Sequence, residues 1–266
     1  LVASDIDGTL IDSRDRVSPR LQKALGRMIR RGVPLTLATG RPARWLYPVL
    51  EQLPVLPVCV CGNGAVLYDS GRDEVLRVKG LSPDVQRDVI DRARVAMAGV
   101  GEIGAAVERA GTSAMDPAEE LFVVSHTYSH AWESIEHGIL GETEMTSEPA
   151  TKLLLSNPHM SSADLYKVIA PHIPEAHAHV TYSMPEGLIE VSAPGVTKRA
   201  GLEELASMCL LGFLLWVEVV VLVSGKAITT ELIPRSYGVN RSVDAPVLAQ
   251  ETTCFACPGY ANTGSQ

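Results

Sequence analysis

Short apolar runs alternate with helical apolar patterns along the first part of the chain. Residues 1–4 are an apolar run that leads into a polar loop, which predicts a short buried strand. Ser18 followed by Pro19 predicts a helix start, because a Ser side chain caps the first amides and Pro fits the first helical position. Gly32 is expected to close this helix. Its apolar positions at helical spacing are Leu21, Leu25, Met28 and Ile29.

Two more apolar runs, 33–39 and 55–61, predict strands, and residues 43–52 predict a helix between them. This alternation indicates a parallel sheet with right-handed crossovers. The character changes at about Gly80, and we interpret the next section as a separate α+β domain inserted into the first. The apolar run 187–191 is then expected to return the chain to the first sheet. The inserted section has predicted helices at 83–98 and 161–170 and predicted strands at 121–125, 152–156 and 179–182.

Residues 208–223 are almost wholly apolar, but Glu218 interrupts them. A membrane span needs about 20 apolar residues and disfavours a central carboxylate. A helix end, a turn at Gly212 and a buried parallel strand at 214–223 explain the run better. The run therefore predicts no membrane partner. After Gly225 the pattern of apolar positions weakens, and the end of the chain is expected to be atypical of the fold.

The composition is that of an ordinary globular protein of one large or two modest domains, with 266 residues, 46% hydrophobic and 20% charged. A net charge of −8 argues against nucleic acid or an anionic membrane as the main partner. A phosphate substrate would therefore need a local positive charge from a metal ion, an Arg or a Lys. Monomer and homodimer both remain open.

The cysteines favour a reducing cytoplasm. Their number, 5, is odd, and Cys59 and Cys61 fall in a predicted buried strand, which argues against a secreted disulfide framework. No basic-then-apolar signal segment opens the chain. It begins at Leu1 without a methionine, as expected of a fragment or a trimmed gene product.

Asp5 and Asp7 stand two apart where the first predicted strand becomes a loop. Side chains at i and i+2 project to the same side, so both carboxylates can face one pocket. Asp5 can attack phosphorus as a nucleophile, and Asp7 can protonate the leaving oxygen and then accept a proton from water. Gly8 permits a tight turn, and Thr9 adds another donor.

Three later segments follow predicted strands or open a helix. The Thr39 hydroxyl and the Gly40 amide can bind a phosphoryl oxygen, and Arg41 can contact an anion with two hydrogen bonds. Asn63 can touch substrate or order its loop. Lys198 lies after a Pro-Gly turn at the start of a helix predicted over 197–208, where its ammonium group can neutralise charge at the nucleophile.

Structural alternatives exist for each segment. Asp-Gly and Asn-Gly pairs are common in turns, Thr-Gly-Arg fits an ordinary strand-to-helix turn, and Lys residues are usually exposed. The length of the run from Asp5 to Leu10 and the order of the segments favour function for all but Asn63, for which the two readings are even.

Asp-Ile-Asp-Gly-Thr-Leu, beginning at Asp5, resembles the first motif of haloacid dehalogenase superfamily phosphatases, most of all their Cof-type, sugar-phosphatase-like branch. The Thr39 and Lys198 segments resemble the second and third motifs. The resemblance implies an α/β fold, with a Rossmann-like core at 1–79 and 186–266 and an inserted C2-type cap at 80–185. It also implies Mg²⁺ held partly by the Asp5 side chain and the Asp7 carbonyl.

The fourth motif of that family, Gly-Asp-x-x-Asn-Asp, is not found. Lys226 stands where a metal-binding Asp is expected, and Thr229 and Thr230 replace Asn-Asp. Loss of a carboxylate and gain of an ammonium weaken the hold on Mg²⁺. Either the segment after about residue 208 is foreign to the fold, through a frameshift, a wrong gene model or divergence, or the protein is a degenerate member.

The sequence thus predicts a Mg²⁺-dependent phosphatase. Its substrate is expected to be a small phosphorylated metabolite, such as a sugar phosphate, and the intermediate an Asp5 aspartyl-phosphate. The alternative is a catalytically impaired protein that binds phosphorylated ligands.

Overall fold

Two β-sheets organise the chain in the computed structural model, which describes residues 1–130, 136–210, 217–223 and 226–232, with side chains up to residue 208. In chain order the strands are β1 (Val2–Ser4), β2 (Leu35–Ala38), β3 (Val58–Cys61), β4 (Val66–Asp69), β5 (Glu74–Val78), β6 (Gly104–Glu108), β7 (Phe122–Val124), β8 (Gly138–Ile139), β9 (Lys152–Ser156), β10 (His179–Thr181), β11 (Leu188–Ser192), β12 (Val217–Val223) and β13 (Lys226–Leu232). The α-helices are α1 (Pro19–Arg30), α2 (Tyr47–Leu50), α3 (Pro83–Ala96), α4 (Ala118–Leu121), α5 (Glu142–Met145), α6 (Ser162–Ile169) and α7 (Lys198–Leu210).

The first sheet has the order β13-β12-β1-β2-β3-β4-β5. Its four central strands, β12, β1, β2 and β3, are parallel, and the strands at both edges are antiparallel. The predicted parallel α/β core is therefore confirmed. Helix α1 begins as predicted, since the Ser18 hydroxyl oxygen accepts a hydrogen bond from the Leu21 amide.

The second sheet, of order β10-β11-β9-β6-β7-β8, is mainly antiparallel and forms the cap over the first. Side chains alternate between its two faces along β9. Leu153 and Leu155 pack in the main apolar cluster with residues of α3 and α6, whereas Leu154 packs with Phe122 and Leu188 on the opposite face. Helices thus cover one face of the cap sheet and leave the other to face the core.

The expectation that residues 187–191 return the chain to the first sheet is wrong. Strand β11 lies between β9 and β10, antiparallel to both. Leu188 and Ile189 are both buried, on opposite faces of the cap sheet. An apolar run of this kind indicates a buried strand but not the sheet to which it belongs. We propose that the core resumes after Ser192, rather than at residue 186 as the sequence predicts.

The helix predicted over 43–52 is also wrong. The chain forms a single 3₁₀ turn, Ala43–Trp45, followed by the short α2. A continuous α-helix would need an amide at residue 48 to bond to the carbonyl of Arg44, and Pro48 has none. The sequence patterns also missed the antiparallel hairpin of β4 and β5 and the cap strand β6.

After the apolar run, β12 pairs in parallel with β1, which confirms a strand within 214–223. Strand β13 then runs antiparallel to β12, with Lys226 opposite Val223 and Thr229 opposite Val220. The segment where the fourth motif was sought is therefore a strand rather than a loop. Among the described helices, none has the length and apolar character needed to cross a membrane.

Candidate active site

Asp5 lies at the carboxyl end of β1, near the middle of the first sheet. The Ile6 amide donates a hydrogen bond of 2.8 Å to Asp5 Oδ1. The loop then turns back on itself, with Gly8 at φ +68° and the Leu10 amide bonded to the Ile6 carbonyl at 2.9 Å. Asp5 and Asp7 consequently line the same cavity, as the i, i+2 spacing predicts.

Lys198 reaches Asp5 from the other end of the sequence. Its Nζ lies 2.8 Å from Asp5 Oδ1. Lys198 is the first residue of α7, and the Thr197 hydroxyl oxygen accepts the Ala200 amide at 3.0 Å, so a capped helix start fixes its backbone. The structure therefore brings together a carboxylate and an ammonium that the sequence separates widely.

Arg41 forms hydrogen bonds with carboxylates of the protein, so its guanidinium group is not free to bind an anion in this arrangement. Its Nη2 lies 2.6 Å from Asp7 Oδ1 and 3.0 Å from Asp15 Oδ1, and its Nε lies 3.1 Å from Asp7 Oδ2. The hydrogen bond with Asp7 raises the pKa of Arg41 above its usual value. The sequence could not predict this arrangement, because Asp15 comes near only through the fold of the loop after Gly8.

Thr39 and Asn63 support the loops around the site. Thr39 is fully buried, and its hydroxyl oxygen accepts the Arg41 amide at 3.1 Å. Asn63 has φ +57°, and its main-chain N–H donates a hydrogen bond of 2.8 Å to the Thr39 carbonyl. Asn63 lines the cavity together with Gly40. Thr9 lies in the turn, outside the residues that line the cavity. Contact of Thr39 or Thr9 with a phosphoryl group stays a prediction.

Gly64 packs directly against the segment that carries Lys198. A Cβ at Gly64 would lie 2.1 Å from the Thr197 carbonyl oxygen, and its φ is +103°. We expect Gly64→Ala to lower the free energy of unfolding by about 2–4 kcal/mol, since both strain and overlap arise. Chemical denaturation measures this loss.

Gly99→Ala is the matched control for Gly64→Ala. Gly99 also has a positive φ, +79°, but a Cβ there meets nothing within 4 Å. Its cost should be limited to backbone strain, about 1 kcal/mol. Equal losses in the two variants would contradict a steric role for Gly64.

The cap supplies the other wall of the cavity, whose volume is about 770 Å³. Apart from Glu190, which begins the segment that resembles the third motif and ends at Lys198, sequence analysis did not single out these cap residues. The polar residues contributed by the cap are Glu108, Arg109, Thr151, Lys152, Ser183 and Glu190, and its apolar ones include Leu121, Leu154, Met184 and Leu188.

Two ion pairs are built into this wall. Lys152 Nζ lies 2.5 Å from Glu190 Oε2, and the Ser183 hydroxyl donates to Glu190 Oε1 at 2.5 Å. Burial alone would raise the pKa of Glu190, but Lys152 and Ser183 outweigh it and hold the pKa below its usual value. The second pair joins Arg44 of the core to Glu108, and burial lowers the pKa of Arg44 to about 10.

Oxygen donors suited to Mg²⁺ are present at the end of β1. Mg²⁺ is commonly bound by one or two carboxylates together with substrate phosphate and water. Within the described residues, the contacts of the Asp5 carboxylate all fall on Oδ1. No group of three or more Asp, Glu, His or Cys residues that could hold a metal occurs in the described part of the chain. The donors thus fit Mg²⁺, but as a site with few protein ligands.

A parallel α/β core with an Asp–Lys pair at its carboxyl edge, covered by an inserted and mainly antiparallel sheet, places the chain in the class of capped Rossmann-like proteins. The sequence agrees with this class, because the haloacid dehalogenase-like hydrolase family matches residues 2–211. The chain belongs to that family, as the Asp5 motif predicts.

Two curated relatives are HMP-PP phosphatases. The protein from Cronobacter sakazakii is 26% identical over 211 residues, which cover 77% of this chain and 71% of the relative. The protein from Serratia proteamaculans is 33% identical over 90 residues, which cover 34% of this chain and 32% of the relative. The predicted class, a phosphoric monoester hydrolase of the Cof type, is confirmed at the level of the family.

Solved structures share the fold. A haloalkanoate dehalogenase superfamily phosphatase from Bacteroides thetaiotaomicron has a TM-score of 0.61 at 20% identity, over 78% of this chain and 71% of that one. A subclass IIB sugar phosphatase has a TM-score of 0.56 at 17% identity, over 80% of this chain and 76% of that one. The predicted combination of core and cap is confirmed.

Proposed function

We propose that this protein hydrolyses a small phosphate monoester, a sugar phosphate or a similar metabolite, through an aspartyl-phosphate on Asp5. The observation that carries the proposal is the 2.8 Å contact between Lys198 Nζ and Asp5 Oδ1 in a cavity that Asp7 also lines. An ammonium at this point stabilises the charge that gathers when a carboxylate approaches a phosphoryl group.

The residues divide the reaction into two steps. In the first, an Asp5 carboxylate oxygen bonds to phosphorus, the bond from phosphorus to the leaving oxygen breaks, and protonated Asp7 gives that oxygen its proton. In the second, Asp7 accepts a proton from water, the water oxygen bonds to phosphorus, and the bond between phosphorus and the Asp5 oxygen breaks, which frees inorganic phosphate and restores the Asp5 carboxylate. Mg²⁺ held by the Asp5 carboxylate and the Asp7 main-chain carbonyl would neutralise phosphoryl charge in both steps.

Asp7 must separate from Arg41 to act in this way. Its side chain is 56% exposed, so the carboxylate can rotate away while Arg41 keeps its contact with Asp15. An exposed ion pair of this kind contributes little to stability, about 0–1 kcal/mol. The freed side of Arg41 is then available to the substrate anion, which agrees with the binding role proposed for this residue.

Release of phosphate from an aryl phosphate tests the proposal. The purified chain should release p-nitrophenol from p-nitrophenyl phosphate with Mg²⁺ and lose this activity when the metal is chelated. Activity on a panel of sugar phosphates and other phosphorylated metabolites would then define the substrate. Absence of turnover with every monoester would refute the hydrolytic function.

The alternative is a protein that binds phosphorylated ligands without hydrolysing them. The observation that favours it is that the described residues contain no group of three or more Asp, Glu, His or Cys side chains that could hold a metal ion. Binding of inorganic phosphate, measured by calorimetry in a chain that shows no turnover, would support this alternative.

Lys226→Asp distinguishes the two functions. The pairings of Ser4 with Leu222 and of Val223 with Lys226 place residue 226 at the carboxyl edge of the sheet, close in register to Asp5. A carboxylate introduced there should strengthen Mg²⁺ binding, so we expect the Mg²⁺ concentration for half-maximal activity to fall by about tenfold. Titration of phosphatase activity with Mg²⁺ measures the change.

Thr229→Asp is the control for Lys226→Asp. Thr229 lies opposite Val220, farther along β13 from that edge. A carboxylate there should leave the Mg²⁺ dependence unchanged. If only Lys226→Asp is active, the present chain is a degenerate binder, and if neither substitution changes the Mg²⁺ dependence, residue 226 lies away from the metal.

A further inference from the structure

The Arg44–Glu108 pair joins the two sheets across the cavity. Arg44 follows β2 of the core in the 3₁₀ turn, and Glu108 is the last residue of β6 in the cap. Arg44 Nη2 donates to Glu108 Oε2 at 3.0 Å, and Nη1 contacts Oε1, so the contact is bidentate. Both residues line the cavity.

This pair is buried, unlike most ion pairs of the described residues. The side chains of Arg44 and Glu108 are 8% and 13% exposed. The guanidinium carbon also lies 5.2 Å from the centre of the Trp45 ring and 5.9 Å from that of Phe122, another cap residue. Core and cap thus share one largely buried cation, which contacts a carboxylate and two aromatic rings.

The main chain of each partner is anchored on its own side of the cavity. The carbonyl of Glu108 accepts hydrogen bonds from the Thr151 amide at 2.7 Å and hydroxyl at 2.9 Å. Arg44 is flanked by the buried Ala43 and Leu46. A movement of the cap away from the core must therefore break the pair instead of carrying it along.

We propose that the Arg44–Glu108 contact holds the cap closed over Asp5, and that these two side chains are positioning residues for the reaction. The reason is that removing one partner of a buried ion pair costs much more than removing both. With both partners present their charges compensate each other in the closed form, but removal of one leaves an unpaired charge that is largely buried, and opening the cap exposes that charge to water. Replacement of both by apolar residues restores compensation.

Glu108→Gln is the main test, with hydrogen–deuterium exchange as the readout. Exchange needs no turnover, so the result is independent of the proposed hydrolysis. We expect amides of the core loops at 39–46 and 62–66 to exchange on the order of tenfold to 100-fold faster, because the closed form is depopulated. Glu136 also faces the Arg44 charge and offsets part of the effect.

Two further variants isolate the cause. Glu148→Gln removes the same charge from a pair that lies within the cap, since Glu148 Oε1 is 3.5 Å from Arg109 Nη1, and it should leave exchange in the core loops unchanged. Arg44→Met combined with Glu108→Leu should return exchange to the wild-type rate. If Glu108→Gln exchanges like the wild type, the proposal is refuted. Exchange in the double variant as fast as in Glu108→Gln would assign closure to the contact itself, and wild-type exchange in the double variant assigns the opening to the unpaired charge.

Kinetics provide a second readout where turnover is measurable. In an enzyme that is closed for only a fraction of the time, KM is divided by that fraction and therefore rises, with kcat preserved at saturation. Glu108→Gln should therefore raise KM for p-nitrophenyl phosphate by about tenfold or more and change kcat little. Should Glu108→Gln fail to fold, Arg44→Gln leaves the Glu108 carboxylate as the unpaired charge instead, and wild-type exchange in that variant refutes the proposal.

Discussion

Asparagine in place of Asp5 should reduce phosphate release by at least about 10³-fold, because the amide cannot attack phosphorus and form the acyl phosphate. The loss should appear in kcat, and a stopped assay with p-nitrophenyl phosphate at saturating Mg²⁺ measures it. Asn at this position keeps the shape of the side chain and an oxygen that can accept the Ile6 amide. The fold should therefore persist, as thermal unfolding can verify.

Binding of phosphate provides the internal control for Asp5→Asn. Removal of the carboxylate removes its repulsion of an oxyanion, while Lys198 remains in place. Inorganic phosphate should accordingly bind at least as tightly to this variant as to the wild type. Asp91→Asn, an exposed change on α3 far along the chain from the site, should leave both activity and binding unaltered. Comparable activity in Asp5→Asn and the wild type would exclude Asp5 as nucleophile.

The sequence was sufficient to predict which residues lie together at the carboxyl edge of the core, for a physical reason. Asp5, Thr39 and Asn63 each follow an apolar strand, and parallel neighbouring strands end at the same edge of a sheet. Short sequence motifs at the ends of predicted strands are therefore enough to predict that these residues lie near one another. Lys198 required only one further assumption, that the helix beginning there packs beside the sheet.

The cap residues that line the cavity are brought together by contacts between distant parts of the sequence, and no short sequence motif indicates such contacts. Arg44 and Glu108 are 64 residues apart; Arg44 lies in the 3₁₀ turn of the core and Glu108 in strand β6 of the cap. Lys152 and Glu190 are in contact because β9 pairs with β11. The sequence pattern instead predicts that the β11 segment belongs to the core. Apolar periodicity reports which side chains are buried, but strand partners follow from the packing of the whole domain.

Arg41 lies where the sequence predicts, but protein carboxylates occupy the hydrogen bonds that it was expected to offer to a substrate anion. It lies in the cavity, as predicted for a ligand of the substrate anion, yet its hydrogen bonds go to Asp7 and Asp15. The carboxylate of Asp7 presents the same bidentate geometry as a phosphate. A substrate must compete with that carboxylate, which links binding at Arg41 to release of Asp7 for proton transfer.

Methionine in place of Lys198 should lower kcat by about 10²–10³-fold, since the ammonium that lies 2.8 Å from Asp5 Oδ1 is lost while the length of the side chain is kept. KM should also rise, because the same charge attracts the phosphate. Steady-state kinetics with p-nitrophenyl phosphate measure both effects. Lys198→Arg should recover only part of the rate, as a longer planar cation cannot take the same position.

Lys167→Met removes an equivalent charge from α6 of the cap, where Lys167 is 74% exposed and pairs with Asp164, and should leave kinetics unchanged. Lys198→Met in the Asp5→Asn background should cause little further loss, because residues that act on one bond as a unit are not additive. A multiplicative loss in that double variant would mean that Lys198 assists a reaction in which Asp5 takes no part, and the shared role derived from their contact would be wrong.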